Sequence, residues 1–378
     1  MRINKNFFTY FYIFFRINLN KAFEQLKSFD IIEPEKELYM SSLSSQDEKY
    51  MKECFKLALK GKGKTAPNPM VGCVVLDKNG KILSKGYHKQ FGKNHAERDA
   101  LLKLKNNEAE GGTLYVNLEP CSHYGKTPPC TELIIEKKIK KVVFAMKDVN
   151  PMVNGISQLQ KAGIEVISGV LEEEAKFLNR IFIKNMTKKM PYVVLKTATA
   201  MDGKISTSSG DSKWITSTEA RNKVYEIRKE FDCIMTSSNT VIADNPTMEH
   251  KFKCILDKDE RTYKNSKIYT QGEIYIATKN NTPLINGQLD VRNVLKELYS
   301  KGICTVFVEC GGTLAGSMLK NGLIDEIYQF IAPKILNDNS GKSCFNGTKA
   351  EKISEAKNIK LYDFEKIGTD ILIKGIII

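Results

Sequence analysis

His95-Ala96-Glu97, followed by Pro120-Cys121-Ser122-His123-Tyr124-Gly125-Lys126-Thr127-Pro128-Pro129-Cys130, is the stretch on which the reading of this chain turns. One imidazole and two thiols, from His95, Cys121 and Cys130, offer three ligands to a tetrahedral Zn²⁺. Three rather than four leaves a position for water, which marks a reacting centre instead of a structural one. Glu97 is not needed to hold the metal. A carboxylate so close to the metal histidine is suited to carrying protons once the metal has acidified a water.

The surrounding residues support a site over an ordinary core. The chain has four histidines, and three of them, His88, His95 and His123, crowd this region while His250 stands apart. Free cysteine is usually a small core hydrophobe, but the insert between Cys121 and Cys130 is polar and turn-forming, so the pair does not belong to one strand or helix. The prolines at 120, 128 and 129 fit a loop that opens into a helix at Thr131, where a thiolate is favoured. H-x-E followed by P-C is the pattern of hydrolytic nucleobase deaminases. Their second cysteine ordinarily follows after two residues, whereas here eight intervene.

Composition bounds the rest. A chain of 378 residues with 42% hydrophobic content has the material for two or three packed domains and is not disordered. Nine cysteines show no disulfide framework; Cys54, Cys73, Cys233, Cys254, Cys304, Cys310 and Cys344 mostly sit in apolar runs, which reads as a reducing compartment. The net charge of +14 admits anionic ligands. The lysines are spread along the chain without interleaved aromatics, so phosphorylated small molecules are expected as partners, with no nucleic acid and no membrane. The apolar run Phe7–Phe15 is too short to span a bilayer and no small-residue cleavage site closes it. Residues 1–39 read as a poorly ordered extension without a catalytic role, ahead of Met40. The expected location is cytoplasmic, with organellar targeting by that segment as the alternative.

Periodicity lays out an α/β chain. A helix is expected over Gln46–Lys60 and strands over Val71–Leu76 and Ile82–Tyr87, joined by the Asp77–Gly80 turn. A helix over Asn94–Leu104 carries His95 and Glu97 in its first turn, and a strand over Thr113–Leu118 ends where the cysteine loop begins. Then come a helix over Thr131–Lys138, a strand over Lys141–Met146, a helix over Gly155–Ala162 and a strand over Ile164–Ile167. A charged helix over Glu172–Lys189 connects to a second unit, which opens with the strand Tyr192–Lys196. Strands follow at Cys233–Thr236, Ile274–Ala277, Thr305–Val308 and Ile324–Ala332, and helices at Ser217–Glu230, Asp290–Ser300 and Thr313–Asn321. The division is therefore an extension over 1–46, a zinc domain over 47–170, a connecting segment over 171–190 and a second domain over 191–378. Alternating strands and helices imply sheets covered by helices, with ligands at the strand ends.

With these residues placed, the segment from about 47 to 378 resembles the bifunctional riboflavin-biosynthesis deaminase–reductases. The motifs that carry the resemblance are Ala66-Pro67-Asn68-Pro69-Met70-Val71-Gly72, Gly86-Tyr87-His88, His95-Ala96-Glu97, the cysteine loop and Asp148-Val149-Asn150-Pro151. In the second half they are Lys196–Lys204, Trp214-Ile215-Thr216 and Glu309-Cys310-Gly311-Gly312-Thr313-Leu314. The resemblance implies a three-layer, cytidine-deaminase-like α/β/α domain followed by a dihydrofolate-reductase-like α/β domain. It implies Zn²⁺-dependent deamination of 2,5-diamino-6-(5-phosphoribosylamino)pyrimidin-4(3H)-one, then NADPH reduction of the ribosyl unit to ribityl, in a homo-oligomer formed through the reductase domain. The catalytic residues it implies are Glu97 and Lys196. Substrate contacts fall to Asn68, His88, Lys126 and Asn150 in the first domain, and to Ser212, Arg228, Met248, Lys251 and Glu309 in the second. NADPH contacts fall to Ala198, Trp214, Thr240, Asp244 and the run Gly311, Gly312, Thr313, Leu314, Ala315, Gly316 and Ser317. Physically, glycines between a strand and a helix let backbone N–H groups approach a pyrophosphate, and Lys196 at the end of an apolar strand needs a ligand or partner for its charge. The chain departs from the family at Ala200, where serine is usual, and at Lys258, where serine is common. A third departure is Asn245–Lys251, which stands for D-P-x-L-T-x-R and so puts a point-charge lysine where a forked arginine is usual.

Three other readings compete. A deaminase with a decayed reductase half would retain the zinc motifs alone. A cytidine or tRNA deaminase fused to an unrelated domain predicts two residues between the cysteines and no Gly-Gly loop. A non-enzymatic zinc module predicts a fourth protein ligand, for which His123 lies awkwardly close to Cys121, and no need for Glu97.

Overall fold

Two glycines at the first hairpin set the layers of the first half. In the computed structural model, which describes residues 45–105, 107–125, 127–347 and 350–378, helix α1 (Ser45–Leu59) is followed by strands β1 (Gly72–Leu76) and β2 (Ile82–Tyr87) and helix α2 (Ala96–Leu101). A Cβ on Gly72 would lie 2.1 Å from the Cys54 carbonyl oxygen of α1, and one on Gly86 would lie 2.3 Å from the Ala96 carbonyl oxygen of α2. Gly86 pairs with Cys73, the neighbour of Gly72. Successive strand residues face opposite ways, so α1 and α2 pack on opposite faces of the sheet. Then come β3 (Thr113–Leu118), α3 (Cys130–Glu136), β4 (Lys141–Met146), α4 (Gly155–Lys161) and β5 (Glu165–Ser168). The sheet order is β2-β1-β3-β4-β5, with β3, β4 and β5 parallel and β1 antiparallel to both its neighbours. Its interior is a run of fully buried residues, among them Val74, Val75, Val116, Val143 and Phe144.

The expected connecting helix is two helices, α5 (Glu172–Leu178) and α6 (Arg180–Lys188). Asn179 leaves the helical conformation between them, at φ −101° and ψ 18°, and its side chain bonds elsewhere. Residues Met51–Ile378 form one compact unit.

The second half comprises β6 (Tyr192–Ala200), β7 (Lys204–Ser206), α7 (Thr218–Arg228), β8 (Cys233–Ser237), α8 (Ser238–Asp244), β9 (Phe252–Leu256), β10 (Glu273–Ala277), β11 (Leu284–Ile285), β12 (Gln288–Leu289), α9 (Val291–Ser300), β13 (Thr305–Glu309), α10 (Gly312–Lys320), β14 (Glu326–Ala332), β15 (Lys342–Ser343), β16 (Ile359–Ile367) and β17 (Asp370–Ile377). Eight strands make one sheet in the order β10-β9-β8-β13-β6-β14-β17-β16. The first six run parallel, and β17 runs antiparallel to both its neighbours, β14 and β16. Alternation splits its side chains between two cores. Val193, Leu195, Val306 and Val308 pack with Leu295 and Leu298 of α9 and Met318 of α10. Tyr192, Val194, Phe307 and Ile234 pack with Val224 and Ile227 of α7 and Val241 of α8. Both halves are thus helix-covered α/β sheets, as expected. Three strands of the large sheet escaped the pattern reading, as did helix α8 and the short strands β7, β11, β12 and β15. Strand β9 has Lys253 at its centre, buried with its ammonium on the Ile268 carbonyl. Strand β16 is mostly exposed, which blurs its alternation, and β17 pairs with it.

Candidate functional site

The zinc ligands come from three separate elements at one end of the first sheet. His95 is the residue just ahead of α2, in extended conformation (φ −66°, ψ 163°), so it precedes the helix rather than lying in its first turn. Its ring is thereby free to turn inward instead of lying along the helix. Cys121 follows β3, and Cys130 is the first residue of α3. His95 Nδ1 lies 3.4 Å from Cys121 Sγ and 3.6 Å from Cys130 Sγ, and the three donor atoms are all within 4.8 Å of one another. Among the described residues this is the one His/Cys/carboxylate cluster fit to hold a metal, and His123 is not part of it. The Cys130 N–H donates to Cys121 Sγ at 3.3 Å. Hydrogen bonding from Cys130 and from His95, against the effect of burial, brings the Cys121 thiol down to about 4, while the bond to Cys121 and burial push Cys130 up. One thiolate, one thiol and a histidine whose pKa is raised by its bond to Cys121 are what an S₂N site holds when protons stand in for a dication. The donor set fits zinc.

Glu97, in the first turn of α2, is 3% exposed. Burial first, and the Cys121 charge second, push its carboxyl up to about 7. A carboxyl poised there can both take and return a proton near neutral pH. Around it lies a cleft of about 280 Å³ lined by Asn68, His88, His95, Glu97, His123 and Asn150 among others. His88 is 2% exposed, and burial lowers its pKa. Its Nδ1 meets the Asn94 carbonyl oxygen at 3.0 Å, so Nδ1 carries the proton and Nε2 accepts from Asn68 Nδ2 at 3.2 Å. Asn150, which lines the cleft, accepts from the Met152 N–H at 3.1 Å through its Oδ1. Lys126 lies outside the described residues.

Pattern reading passed over several residues of this cleft. Asp148, whose carboxyl is pushed up to about 6 chiefly by burial, receives the Asn150 N–H at 2.8 Å. Buried Glu119 receives the N–H groups of Asp148 and Ile156. Phe182 and Met186 of α6 complete one wall. Asp148 stood inside a quoted motif and was open to detection. The remainder act through contacts between distant segments, which no local spacing announces.

In the second sheet, Lys196 does not end its strand, because β6 runs on to Ala200 through pairing with β14. Its charge finds a partner. Glu309, directly opposite on β13, lies 3.5 Å from Lys196 Nζ and 2.6 Å from Arg228 Nε at the end of α7. Burial alone would raise the Glu309 pKa, but the Arg228 and Lys196 charges outweigh it and hold it below the usual carboxylate value. Glu249, near Arg228, helps raise the arginine's pKa, which brings the 248–251 segment into this neighbourhood. Met248 is a buried core residue, while Lys251 is exposed just ahead of β9.

The glycine loop needs a correction. A Cβ on Gly312 would lie 2.2 Å from the Ser343 carbonyl oxygen, and one on Gly316 would lie 1.9 Å from that of Asn346. These two glycines admit the crossing segment 343–346 rather than a pyrophosphate. Gly311 alone of the three has open space where a side chain would be. The first N–H groups of α10 have no partner within the helix. Open room at Gly311 with exposed Thr313 and Ser317 beyond it suits an anionic cofactor. Trp214 is 61% exposed, with the Arg221 guanidinium 4.3 Å from its ring centre, so it is not an ordinary core tryptophan. Ser212, Ala198 and Thr240 are half-buried, and Thr240 Oγ1 lies 3.2 Å from Ser237 Oγ. Asp244 is exposed at the end of α8.

Residues 44–146 match the cytidine and deoxycytidylate deaminase zinc-binding region, and residues 191–373 match the RibD C-terminal domain. Riboflavin biosynthesis protein RibD of Actinobacillus pleuropneumoniae is 38% identical over 358 residues, covering 87% of this chain and 95% of its own. That of Aquifex aeolicus is 40% identical over 351 residues, covering 86% and 97%. Among solved structures, Acinetobacter baumannii RibD matches with a TM-score of 0.76 and 35% identity, over 88% of this chain and 99% of that one. A diaminohydroxyphosphoribosylaminopyrimidine deaminase/5-amino-6-(5-phosphoribosylamino)uracil reductase of Thermotoga maritima matches with a TM-score of 0.75 and 36% identity, over the same shares. With both halves matched in order and a three-ligand metal cluster in the first, the chain belongs to the RibD family of riboflavin biosynthesis proteins.

Proposed function

We propose that this chain deaminates 2,5-diamino-6-(5-phosphoribosylamino)pyrimidin-4(3H)-one and then reduces the ribosyl side chain of the product, as two steps of riboflavin biosynthesis. It is a bifunctional enzyme with Zn²⁺ and NADPH as cofactors, and the presence of the second domain disfavours a deaminase-only reading. The observation that carries the proposal is the convergence of His95, Cys121 and Cys130 beside a buried Glu97.

Zinc held by those three residues supplies Lewis acidity that readies a water for attack near neutral pH. Glu97 takes the proton of the attacking water and returns it to the departing amino nitrogen, which leaves as ammonia. Asn68 and Asn150 present amide groups to the pyrimidinone, His88 fixes Asn68, and Lys126 is assigned the phosphate. The Asn68–His88 hydrogen bond supports this division of labour. In the second domain NADPH supplies the hydride. Lys196, set by Glu309, meets the opened ribosyl imine with positive charge, and Arg228, Ser212, Lys251 and the backbone at Met248 complete the substrate side. Ala198, Trp214, Thr240, Asp244, Gly311, Thr313 and Ser317 are assigned to the cofactor, with Gly311 at the phosphate.

We assign 47–170 to the deaminase, 171–190 to the connection and 191–378 to the reductase. A homo-oligomer through the reductase domain is supported by the apolar side chains of Ile359, Leu361, Phe364 and Ile371, exposed on β16 and β17. Nine free cysteines fit the cytoplasm, and no described helix is long and apolar enough to cross a membrane.

The test is metal analysis of the full chain with a two-stage assay, ammonia release followed by NADPH oxidation. One zinc per chain and both activities in sequence are expected. Absence of zinc, or its retention in both Cys121→Ser and Cys130→Ser, defeats the deaminase assignment. Absence of NADPH oxidation with deaminated substrate defeats the reductase one.

A further inference from the structure

The break between α5 and α6 has a purpose in the zinc cleft. Asn179 is 2% exposed, and its amide clasps the backbone of Met70 from both sides. Its Oδ1 accepts from the Met70 N–H at 2.8 Å, and its Nδ2 donates to the Met70 carbonyl oxygen at 3.1 Å. Asn117 of β3, fully buried, donates to the same carbonyl at 2.9 Å and accepts from the Gly72 N–H at 2.7 Å. The segment so gripped is the one from which Asn68 reaches His88. An irregular loop lining a cleft has no ladder to fix it, and here two asparagine side chains serve in place of neighbouring strands.

The other side of the joint is anchored in the second sheet. Arg180, the next residue, forks onto Glu326 of β14 at 3.1 and 3.4 Å, and Glu326 is fully buried. The guanidinium lies 4.5 Å from the Phe177 ring centre and 5.7 Å from those of Tyr192 and Tyr362, and the Tyr362 hydroxyl also bonds to Glu326. A rigid, planar, doubly bonded group of this kind holds position better than a surface pair.

We propose that Asn179 is a positioning residue for the deamination, holding the 67–70 loop in register so that Asn68 faces the substrate, with Arg180 and Glu326 fixing Asn179 from the reductase sheet. The proposal rests on the deaminase reading above. Asn179 touches no reacting atom, so it acts on substrate binding and not on proton transfer or the metal.

The experiment uses the zinc-loaded full chain and the diaminopyrimidinone phosphate, with reduction of the deaminated product as internal control. Asn179→Ala removes both bonds. Asn179→Asp is isosteric and keeps the acceptor for the Met70 N–H, but it sets a carboxylate oxygen against the Met70 carbonyl. Loss of such buried bonds is expected to raise KM for ammonia release about tenfold in each variant. The kcat should stay within about twofold, zinc at one per chain, and the reductase constants as in the wild type, since neither the proton carrier nor the metal is touched. Arg180→Met should shift KM in the same direction. An unchanged KM in Asn179→Asp overturns the proposal. So does a joint fall of both activities and of the melting temperature in Asn179→Asp, which would make the residue a general structural one. A wild-type chain that releases no ammonia overturns the deaminase reading, and the positioning role with it.

Discussion

Replacing Gly316 with alanine and Gly311 with alanine should separate two uses of one glycine-rich turn. At Gly316 the new methyl would stand 1.9 Å from the Asn346 carbonyl oxygen, 2.9 Å from its carbonyl carbon and 3.0 Å from its nitrogen. All three are backbone atoms, so no side chain can swing aside. The 343–346 segment must move by more than an ångström, straining the Asn346 N–H bond to the Gly312 carbonyl oxygen, now 2.9 Å. Overpacking of this order costs about 1–3 kcal/mol, and alanine's better helix propensity returns roughly 1 kcal/mol. Because the clash is entirely against backbone, the upper part of that range applies, and the net loss of roughly 1–2 kcal/mol lowers the melting temperature by about 2–8 °C. Gly311 sits at φ −77° and ψ 166°, open to any residue, with nothing within 4 Å of a Cβ. Alanine there should hold the melting temperature within about 2 °C, since only the helix cap is weakened. It should nonetheless weaken NADPH about tenfold, because the methyl occupies the space a phosphate needs. Differential scanning calorimetry and a fluorescence titration of NADPH read the two effects. A Gly316→Ala protein as stable as wild type would refute the packing argument. A Gly311→Ala protein with unaltered NADPH affinity would refute the assignment of that helix end to the cofactor.

Glu97→Gln should retain zinc and lose ammonia release by ~10²–10⁴, checked by metal analysis beside a coupled ammonia assay; activity near wild type would move the proton carrier elsewhere. Glu309→Gln should destabilise the chain by about 3–5 kcal/mol above neutral pH, leaving two cations without their carboxylate. The Glu309 pKa is depressed on folding, so its contribution is complete above the ordinary value of 4.5 and is lost as pH falls through the depressed value. The stability gap between wild type and Glu309→Gln, followed by denaturant melts across pH, should therefore narrow on acidification, and a gap that widens contradicts the ion-pair reading. Lys251→Arg should lower the KM of the reductase step with kcat retained, because a fork replaces a point charge; steady-state kinetics with the deaminated substrate decide it.

What was legible in the sequence was whatever is written locally. The strands Ile82–Tyr87, Thr113–Leu118 and Lys141–Met146 have the bounds that their apolar runs predict. His95, Cys121 and Cys130 were readable because metal chemistry restricts residue type more than packing does. The two-helix connection was not, because Asn179, where the helix breaks, bonds to the backbone of Met70, more than a hundred positions earlier. Likewise Gly312 and Gly316 look like a phosphate loop until the 343–346 segment is seen crossing them. Lys196 looks like a strand end because a buried charge interrupts the apolar pattern, and the partner that tolerates it, Glu309, sits on another strand.

Strand β17 follows β16 along the chain but lies between β14 and β16 in the sheet. During synthesis β16 therefore emerges with no neighbour to receive it, and the large sheet cannot be finished until the residues of β17 have left the ribosome. The five-stranded sheet needs nothing beyond Ser168. At about 5–20 residues per second the interval between the two is roughly ten to forty seconds. The strand order thus lets the two halves assemble on separate schedules, the sheet for the first reaction having all its strands well before the scaffold for the second can close.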